Sequence, residues 1–157
     1  MALFDIFCGG KKVAIFVDGP NMIRKDSKVD LAEVKREAAK YGDVVIANVY
    51  LDQYAPKKLI EAVINQGFNP IIATGDIDVA MAVDSVFFAS TRRDISTIVF
   101  VTRDTDFVPA ISRIKQLGNK KIIIIATSKG ISSALKHYGD SIIIFDSSTG
   151  ARIIPKK

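Results

Sequence analysis

Cysteine and histidine are almost absent from this chain of 157 residues, which contains one of each, Cys8 and His137. A single cysteine excludes an internal disulfide and a zinc site made of several cysteines. A single histidine excludes a metal site built from several imidazoles. Any metal ion that the chain binds must therefore be held mainly by oxygen atoms.

Long apolar runs are also missing. The longest, such as Ile122–Ala126, are far too short to cross a lipid bilayer. The first ten residues have neither a basic segment nor a long apolar core, so they are not typical of a secretory signal. We therefore expect no membrane association and a cytoplasmic location.

Strand-like and helix-like segments alternate along the chain. Apolar runs predict strands at Lys11–Asp18, Val44–Leu51, Phe68–Ala73, Ile95–Thr102, Lys120–Thr127 and Ser141–Phe145. Helical spacing and helix-terminus residues predict helices at Asp30–Tyr41, Pro56–Gln66, Val79–Ala89, Asp106–Leu117 and Ile131–Tyr138. Since the strands are apolar on both faces, this pattern predicts an α/β fold, a three-layer α/β/α sandwich with a central, mainly parallel sheet.

The domain organisation that follows is simple. Residues 12–146 form one domain, residues 1–11 an N-terminal leader and residues 147–157 a polar C-terminal tail. In a parallel sheet covered by helices, ligands bind beyond the carboxyl ends of the strands, where the strand order reverses. We therefore expect the functional residues at that edge of the sheet.

One segment there stands out, Ile98–Pro109, in which a buried strand is followed by Thr-Arg-Asp-Thr-Asp. Pro109 is tolerated only in the first turn of a helix, so Asp104 and Asp106 fall in the turn between strand and helix. Two carboxylates at a strand end suit Mg²⁺ or Mn²⁺. The ordinary alternative is that each aspartate is a helix cap.

Asp18 ends the first strand, and Asn21 follows it in a Gly-Pro-Asn turn. Both also have an ordinary explanation as turn residues. Asp84 is harder to explain, since its neighbours in Val79–Ala89 are apolar except for Ser85, which indicates a buried helix. A carboxylate buried there needs a partner, a hydrogen bond or a metal ion. Asp78 is expected to be the N-cap of the same helix.

The net charge of +5 favours an anionic partner, of which nucleic acid is the usual one. Basic residues expected at the carboxyl edge of the sheet could follow a phosphate backbone. The candidates for RNA binding are Arg24, Lys25, Lys28, Arg103 and Lys129. Other basic residues fall at the opposite edge, so charge alone does not locate the site.

Three segments in combination resemble the NYN domain family, of LabA type, among the PIN-like nucleases. They are Val13–Asn21 (VAIFVDGPN), Asp78–Asp84 (DVAMAVD) and Thr102–Pro109 (TRDTDFVP). The resemblance covers roughly residues 12–146. It implies a PIN-like, Rossmann-like fold and a metal-dependent ribonuclease that uses Mg²⁺ or Mn²⁺ to cleave RNA, with a preference for single strands.

The same resemblance implies roles for single residues. Its catalytic and metal-binding acids match Asp18, Asp84, Asp104 and Asp106, with Asn21 and Asp78 in support. Family members often have Lys-Gly where this chain has Gly75-Asp76, and glycine where Arg103 stands. The hypothesis requires the carboxylate of Asp84 to lie close to those of Asp18 and Asp104.

Two other interpretations stay open. The departures at Gly75-Asp76 and Arg103 also suit a regulatory module that binds RNA or protein with little or no hydrolysis. Asp104-Thr-Asp106 also resembles the acidic motif of Toprim domains, although those have Glu after the first strand, where Asp18 stands. The sequence leaves the oligomeric state open, including a homo-oligomer.

Overall fold

The computed structural model describes residues 10–23, 29–146 and 150–154. Its strands are β1 (Lys12–Asp18), β2 (Asp43–Asp52), β3 (Asn69–Ala73), β4 (Ile95–Val101), β5 (Lys121–Thr127), β6 (Ser141–Asp146) and β7 (Gly150–Ile154). Its helices are α1 (Gly19–Met22), α2 (Leu31–Ala39), α3 (Lys57–Asn65), α4 (Ile77–Thr91), α5 (Val108–Gln116) and α6 (Ser133–Tyr138). A 3₁₀ turn, Thr105–Phe107, precedes α5.

The described strands form one seven-stranded sheet with the order β3-β2-β1-β4-β5-β6-β7. All neighbouring strands are parallel except β6 and β7. The chain builds outward from β1 through β2 to β3, then returns to place β4 on the other side of β1. The strand order therefore reverses between β1 and β4, which is where ligands bind in sheets of this kind.

Helices cover both faces of the sheet, so the predicted three-layer α/β/α architecture is confirmed. On one face, Val34 of α2 and Val63 of α3 belong to a cluster that includes alternate side chains of the strands. On the other face, Met81 of α4 and Ile111 of α5 belong to a second cluster. Successive side chains of a strand point to opposite faces, so each central strand contributes to both clusters.

The prediction that the helix around Asp84 is buried on all sides is wrong. In α4, Met81, Ser85 and Ala89 are buried, but Val79, Val83 and Phe87 are 58%, 60% and 57% exposed. The helix lies in an outer layer of the sandwich, so only one side of it contacts the sheet.

The C-terminal end of the chain also differs from expectation. Gly150–Ile154, within the predicted polar tail, is strand β7, whose Ile154 pairs with Ile142 and whose Ala151 pairs with Phe145. The predicted leader lies outside the described residues except for Gly10 and Lys11. Across the described helices, none combines the length and the apolar character needed to cross a membrane.

Candidate active site

Asp18 lies at the carboxyl end of β1, beside the point where the strand order reverses, and is 1% exposed. Its Oδ2 accepts hydrogen bonds from Asn21 Nδ2 at 2.7 Å and from Thr102 Oγ1 at 3.1 Å. Its Oδ1 is buried and has no hydrogen-bond partner in the described part of the chain. A buried carboxylate oxygen without a partner is costly, so this atom points to a missing ligand.

The start of α1 brings Asn21 back to Asp18. Gly19 follows β1 directly, and a Cβ at this position would collide with the backbone oxygen of Tyr50. Pro20 stands in the first turn of α1, where its missing N–H has no helical partner to lose. The tight turn explains why Gly-Pro-Asn follows the aspartate in the sequence.

Thr102 connects the ends of β1 and β4. It is fully buried, donates its hydroxyl hydrogen to Asp18 and accepts a hydrogen bond from the backbone N–H of Asp104 at 3.1 Å. Asp104 in turn caps the 3₁₀ turn, because its Oδ1 accepts from the N–H of Asp106 at 2.9 Å. The cap uses one carboxylate oxygen of Asp104, and a carboxylate has two.

Asp78 lies in the first turn of α4 and not at its N-cap, where we had expected it. The N-cap is Asp76, whose Oδ1 accepts from the N–H of Asp78 at 2.9 Å and from that of Val79 at 3.4 Å. The helix therefore starts earlier than the sequence pattern predicts. The carboxylate of Asp78 is consequently not used as the cap.

Asp18, Asp78 and Asp104 form a three-carboxylate group. Each offers one carboxylate oxygen, and the three atoms lie within 4.8 Å of one another. Negative charges so close repel one another unless protons or a cation neutralise them. Hard oxygen ligands suit Mg²⁺ or Mn²⁺, and the unpartnered Oδ1 of Asp18 supplies a buried ligand atom, so these residues fit a divalent cation.

The pKa values of Asp18 and Asp78 are both raised, and burial is the largest cause in each case. Burial raises the pKa of Asp18, although the hydrogen bonds from Asn21 and Thr102 oppose this. Burial, followed by the negative charges of Asp18 and Asp104, raises the pKa of Asp78 to about 6. Because this pKa lies close to neutral pH, a proton and a cation compete there for the carboxylate of Asp78.

Asp84 does not belong to the three-carboxylate group, which corrects the prediction that it meets Asp18 and Asp104. Its Oδ2 accepts a hydrogen bond from the buried hydroxyl of Tyr50 at 2.7 Å. Burial is the larger cause of the raised pKa of Tyr50, and Asp84 adds to it, so the phenol stays a neutral donor. Asp84 lies six residues after Asp78, about 240° around the helix, so the two side chains do not share a face of α4.

Asp106 is exposed and also lies outside the three-carboxylate group. Its negative charge nevertheless contributes to the raised pKa of Asp78, which places it in the electrostatic surroundings of the group. Its backbone N–H holds the carboxylate of Asp104. Asp106 therefore influences the site through its negative charge and its backbone N–H, and its carboxylate is not one of the three grouped ligands.

Two of the predicted RNA-binding residues are described. Arg103 Nη1 donates to the backbone oxygen of Lys129 at 3.3 Å, and Gly130, with φ of +91°, packs beside the arginine. This contact fixes the loop after β5 next to the residue that precedes Asp104. Arg24, Lys25 and Lys28 lie outside the described residues.

Sequence reasoning missed Thr102 and Tyr50. Both stand in apolar strand segments, where a threonine or a tyrosine is an ordinary β-former. The position of Thr102 directly before the acidic turn was the available signal, because a hydroxyl there can reach the end of a neighbouring strand. Tyr50 had no comparable signal, since its partner Asp84 is distant in sequence.

Comparison with known proteins agrees with this fold. The chain is 49% identical over 135 residues to an uncharacterized protein of Methanocaldococcus jannaschii, a match that covers 86% of this chain and 55% of that protein. The chain thus spans about half the length of this relative. A crystal structure of a protein of unknown function from Vibrio parahaemolyticus superposes with a TM-score of 0.76 at 24% identity, covering 90% of this chain and 96% of the other.

The family itself is identified by sequence. The NYN domain profile matches residues 12–146, the region that carries strands β1 to β6, the described helices and the three-carboxylate group. The chain therefore belongs to the NYN domain family, within the PIN-like nuclease superfamily.

Proposed function

We propose that this protein is a metal-dependent ribonuclease that hydrolyses phosphodiester bonds, preferentially in single-stranded RNA. Its membership of a nuclease superfamily supports the reaction class. The observation that carries the proposal is the three-carboxylate group at the strand-order reversal, with the unpartnered Oδ1 of Asp18 in it.

In this proposal, Asp18, Asp78 and Asp104 hold the cation, and Asp78 takes the place of the α4 carboxylate for which the sequence suggested Asp84. Mg²⁺ or Mn²⁺ bound there would supply an activated water nucleophile and stabilise the negative charge of the leaving oxygen. Asn21 and Thr102 position the carboxylate of Asp18. Both donate hydrogen bonds to its Oδ2, which leaves Oδ1 for the ion. Asp106 adds negative charge at the edge of the site.

The basic residues of the same edge would hold the RNA. Arg103 is next to Asp104 in sequence, and its contact with the Lys129 carbonyl uses one of the five N–H donors of a guanidinium. The remaining donors are suited to a phosphate. We extend this role to Lys129, Arg24, Lys25 and Lys28, and the net charge of +5 favours the approach of an anionic strand.

The test is cleavage of an end-labelled single-stranded RNA by the purified protein. We expect products with Mg²⁺ or Mn²⁺, none with excess EDTA, and none from the Asp104→Asn variant. A duplex of the same sequence should be cleaved more slowly. Cleavage that persists in EDTA would overturn the metal-dependent mechanism.

A regulatory module that binds RNA or protein without hydrolysis is the second candidate. The observation that favours it is the cap formed by Asp76, a residue at which family members often have glycine, which adds a further negative charge beside Asp78. RNA binding that is unaffected by chelation, together with no turnover with either metal, would favour this candidate over the nuclease.

A further inference from the structure

The side of α4 that faces away from the sheet is apolar. Val79, Val83 and Phe87 follow one another at intervals of four residues, so they share one face of the helix, and each is more than half exposed. We call them the α4 row. The charged residues of the helix lie elsewhere, since Asp78 belongs to the three-carboxylate group and Asp84 accepts a hydrogen bond from β2. An outer-layer helix usually presents polar residues to water, so an apolar outer row indicates a surface that another protein covers.

The two ends of the α4 row carry opposite charges. At the N-terminal end of the helix, Asp76 is exposed, and its two capping hydrogen bonds both use Oδ1, one of its two carboxylate oxygens. At the C-terminal end, a shallow cavity of about 300 Å³ is lined by Ser90, Arg93 and Lys120, and no carboxylate lines it among the described residues. One end of the row is therefore acidic and the other basic.

Ion pairs within the chain do not cancel the positive charge of the basic end. Asp94 accepts hydrogen bonds from Arg92 at 2.8 and 2.9 Å and from Lys12 at 3.3 Å, so one carboxylate there faces two cations. The ammonium group of Lys120 donates to backbone oxygens of the turn before β4. Arg93 is exposed at the mouth of the cavity, and a guanidinium in this position suits a carboxylate from another molecule.

We propose that the α4 row is the interface of a homodimer, in which the α4 helices of two copies pack antiparallel across a two-fold axis at Val83. Each copy then places Val79 against Phe87 of the other, because the two residues lie equally far from the axis along the helix. Asp76 likewise lies opposite Ser90 of the other copy, beside the basic cavity. An acidic end and a basic end on one helix complement a second, antiparallel copy of that helix, whereas parallel copies would bring like charges together.

The surface around the α4 row has the size that a dimer needs. α4 has 15 residues, which gives a length of about 22 Å at ~1.5 Å per residue. A standard interface covers about 800 Å² on each partner and is roughly 30 Å across. Leu117 is 41% exposed and lines the same cavity as Arg93, so it extends the apolar surface beyond the end of α4. The interface uses the outer side of α4 and does not depend on the chemistry of the three-carboxylate group.

Sedimentation equilibrium of the full-length protein tests the interface. We expect a dimer for the wild type and at least tenfold weaker dimerisation for Val83→Arg. Ile64→Arg is the matched control, because Ile64 is 54% exposed on α3, on the other face of the sheet, and this variant should dimerise as the wild type does. A wild-type protein that stays monomeric up to about 100 μM, where a complex of micromolar affinity is almost fully formed, would overturn the proposal. A dimer that Val83→Arg does not weaken would overturn it as well.

Disulfide crosslinking tests the antiparallel direction without placing a charge in the interface. In a Cys8→Ser background, Val83→Cys alone should link two copies of the chain, because this residue meets its own symmetry mate. Chains with Val79→Cys should link to chains with Phe87→Cys at least tenfold more than either variant links to itself. Equal linking of each variant to itself and to the other would overturn the antiparallel arrangement.

Discussion

The hydroxyl of Thr102 donates a hydrogen bond to Oδ2 of Asp18 at 3.1 Å and so joins the ends of two strands that are neighbours only in space. The same hydroxyl accepts from the N–H of Asp104 at 3.1 Å. One side chain thus positions two of the three carboxylates of the candidate site. Its removal should affect the site more than the fold.

We predict that Thr102→Val lowers Mn²⁺ affinity by about 10- to 100-fold, the usual effect of losing a group that orients a metal ligand. The free energy of unfolding should fall by about 1–3 kcal/mol, because a buried carboxylate oxygen loses its donor. Calorimetric titration and urea denaturation measure the two effects. Thr97→Val, at a buried threonine inside β4, is the control and should leave the affinity unchanged.

Asp78 gives a prediction about pH. Its pKa is raised to about 6 from an ordinary 3.8, so the folded protein binds this proton more tightly than the unfolded chain does. Without metal, Asp78 therefore makes the free energy of unfolding decrease as the pH rises from about 4 to 6, and this contribution is absent above that window. Urea denaturation of the metal-free protein across this range should show the decrease, and Asp78→Asn should remove it.

Metal binding should follow the opposite trend with pH. Because the cation displaces the proton of Asp78, Mn²⁺ affinity should fall about tenfold per pH unit below pH 6 and level off above it. An affinity that does not change between pH 5 and 7 in the wild-type protein would contradict the role of Asp78 as a ligand.

Asp84 and Asp78 provide a matched pair on one helix. We predict that Asp78→Asn reduces RNA cleavage by at least 100-fold, whereas Asp84→Asn changes it by less than threefold. Asp84→Asn should instead alter stability, because the buried hydroxyl of Tyr50 loses its charged acceptor. Initial rates of cleavage of a labelled RNA compare the two variants. Equal losses of cleavage activity in both would show that Asp84 acts in catalysis after all.

Arg103 should contribute to RNA binding through one phosphate. We predict that Arg103→Ala weakens the binding of single-stranded RNA and reduces the slope of log K against log salt by about 0.7, the value for one contact to a single strand. Arg113→Ala on α5 is the control, since its guanidinium binds Gln116 on the same helix surface. An unchanged salt dependence in Arg103→Ala would show that Arg103 does not contact an RNA phosphate.

The three layers, the alternation of strands and helices, and the edge of the sheet that carries the acidic residues could all be predicted from the sequence. Hydrophobic pattern and turn residues determine these features locally, as at Asp18-Gly-Pro-Asn21 and at Pro109, which does stand in the first turn of α5. The strand β7 was not foreseen, because Gly150–Ile154 is short and lies among polar residues, and its pairing with β6 is a tertiary contact.

The candidate site was predicted only in part, because the direction of a side chain depends on where its helix starts. Asp76 rather than Asp78 caps α4, and this leaves the carboxylate of Asp78 available for the site. The apolar surroundings of Asp84 suggested burial, but Val83 next to it is exposed in an outer-layer helix. No local pattern in the sequence distinguishes these two arrangements.

The most direct test of the three-carboxylate group is a Mn²⁺ titration of the wild-type protein, with free Mn²⁺ followed by electron paramagnetic resonance. We predict a saturable site whose affinity falls by more than about tenfold in each of Asp18→Asn, Asp78→Asn and Asp104→Asn. Asp84→Asn should bind as the wild type does. Mn²⁺ binding that is unaffected by the first three substitutions, or that is lost equally in Asp84→Asn, would contradict it.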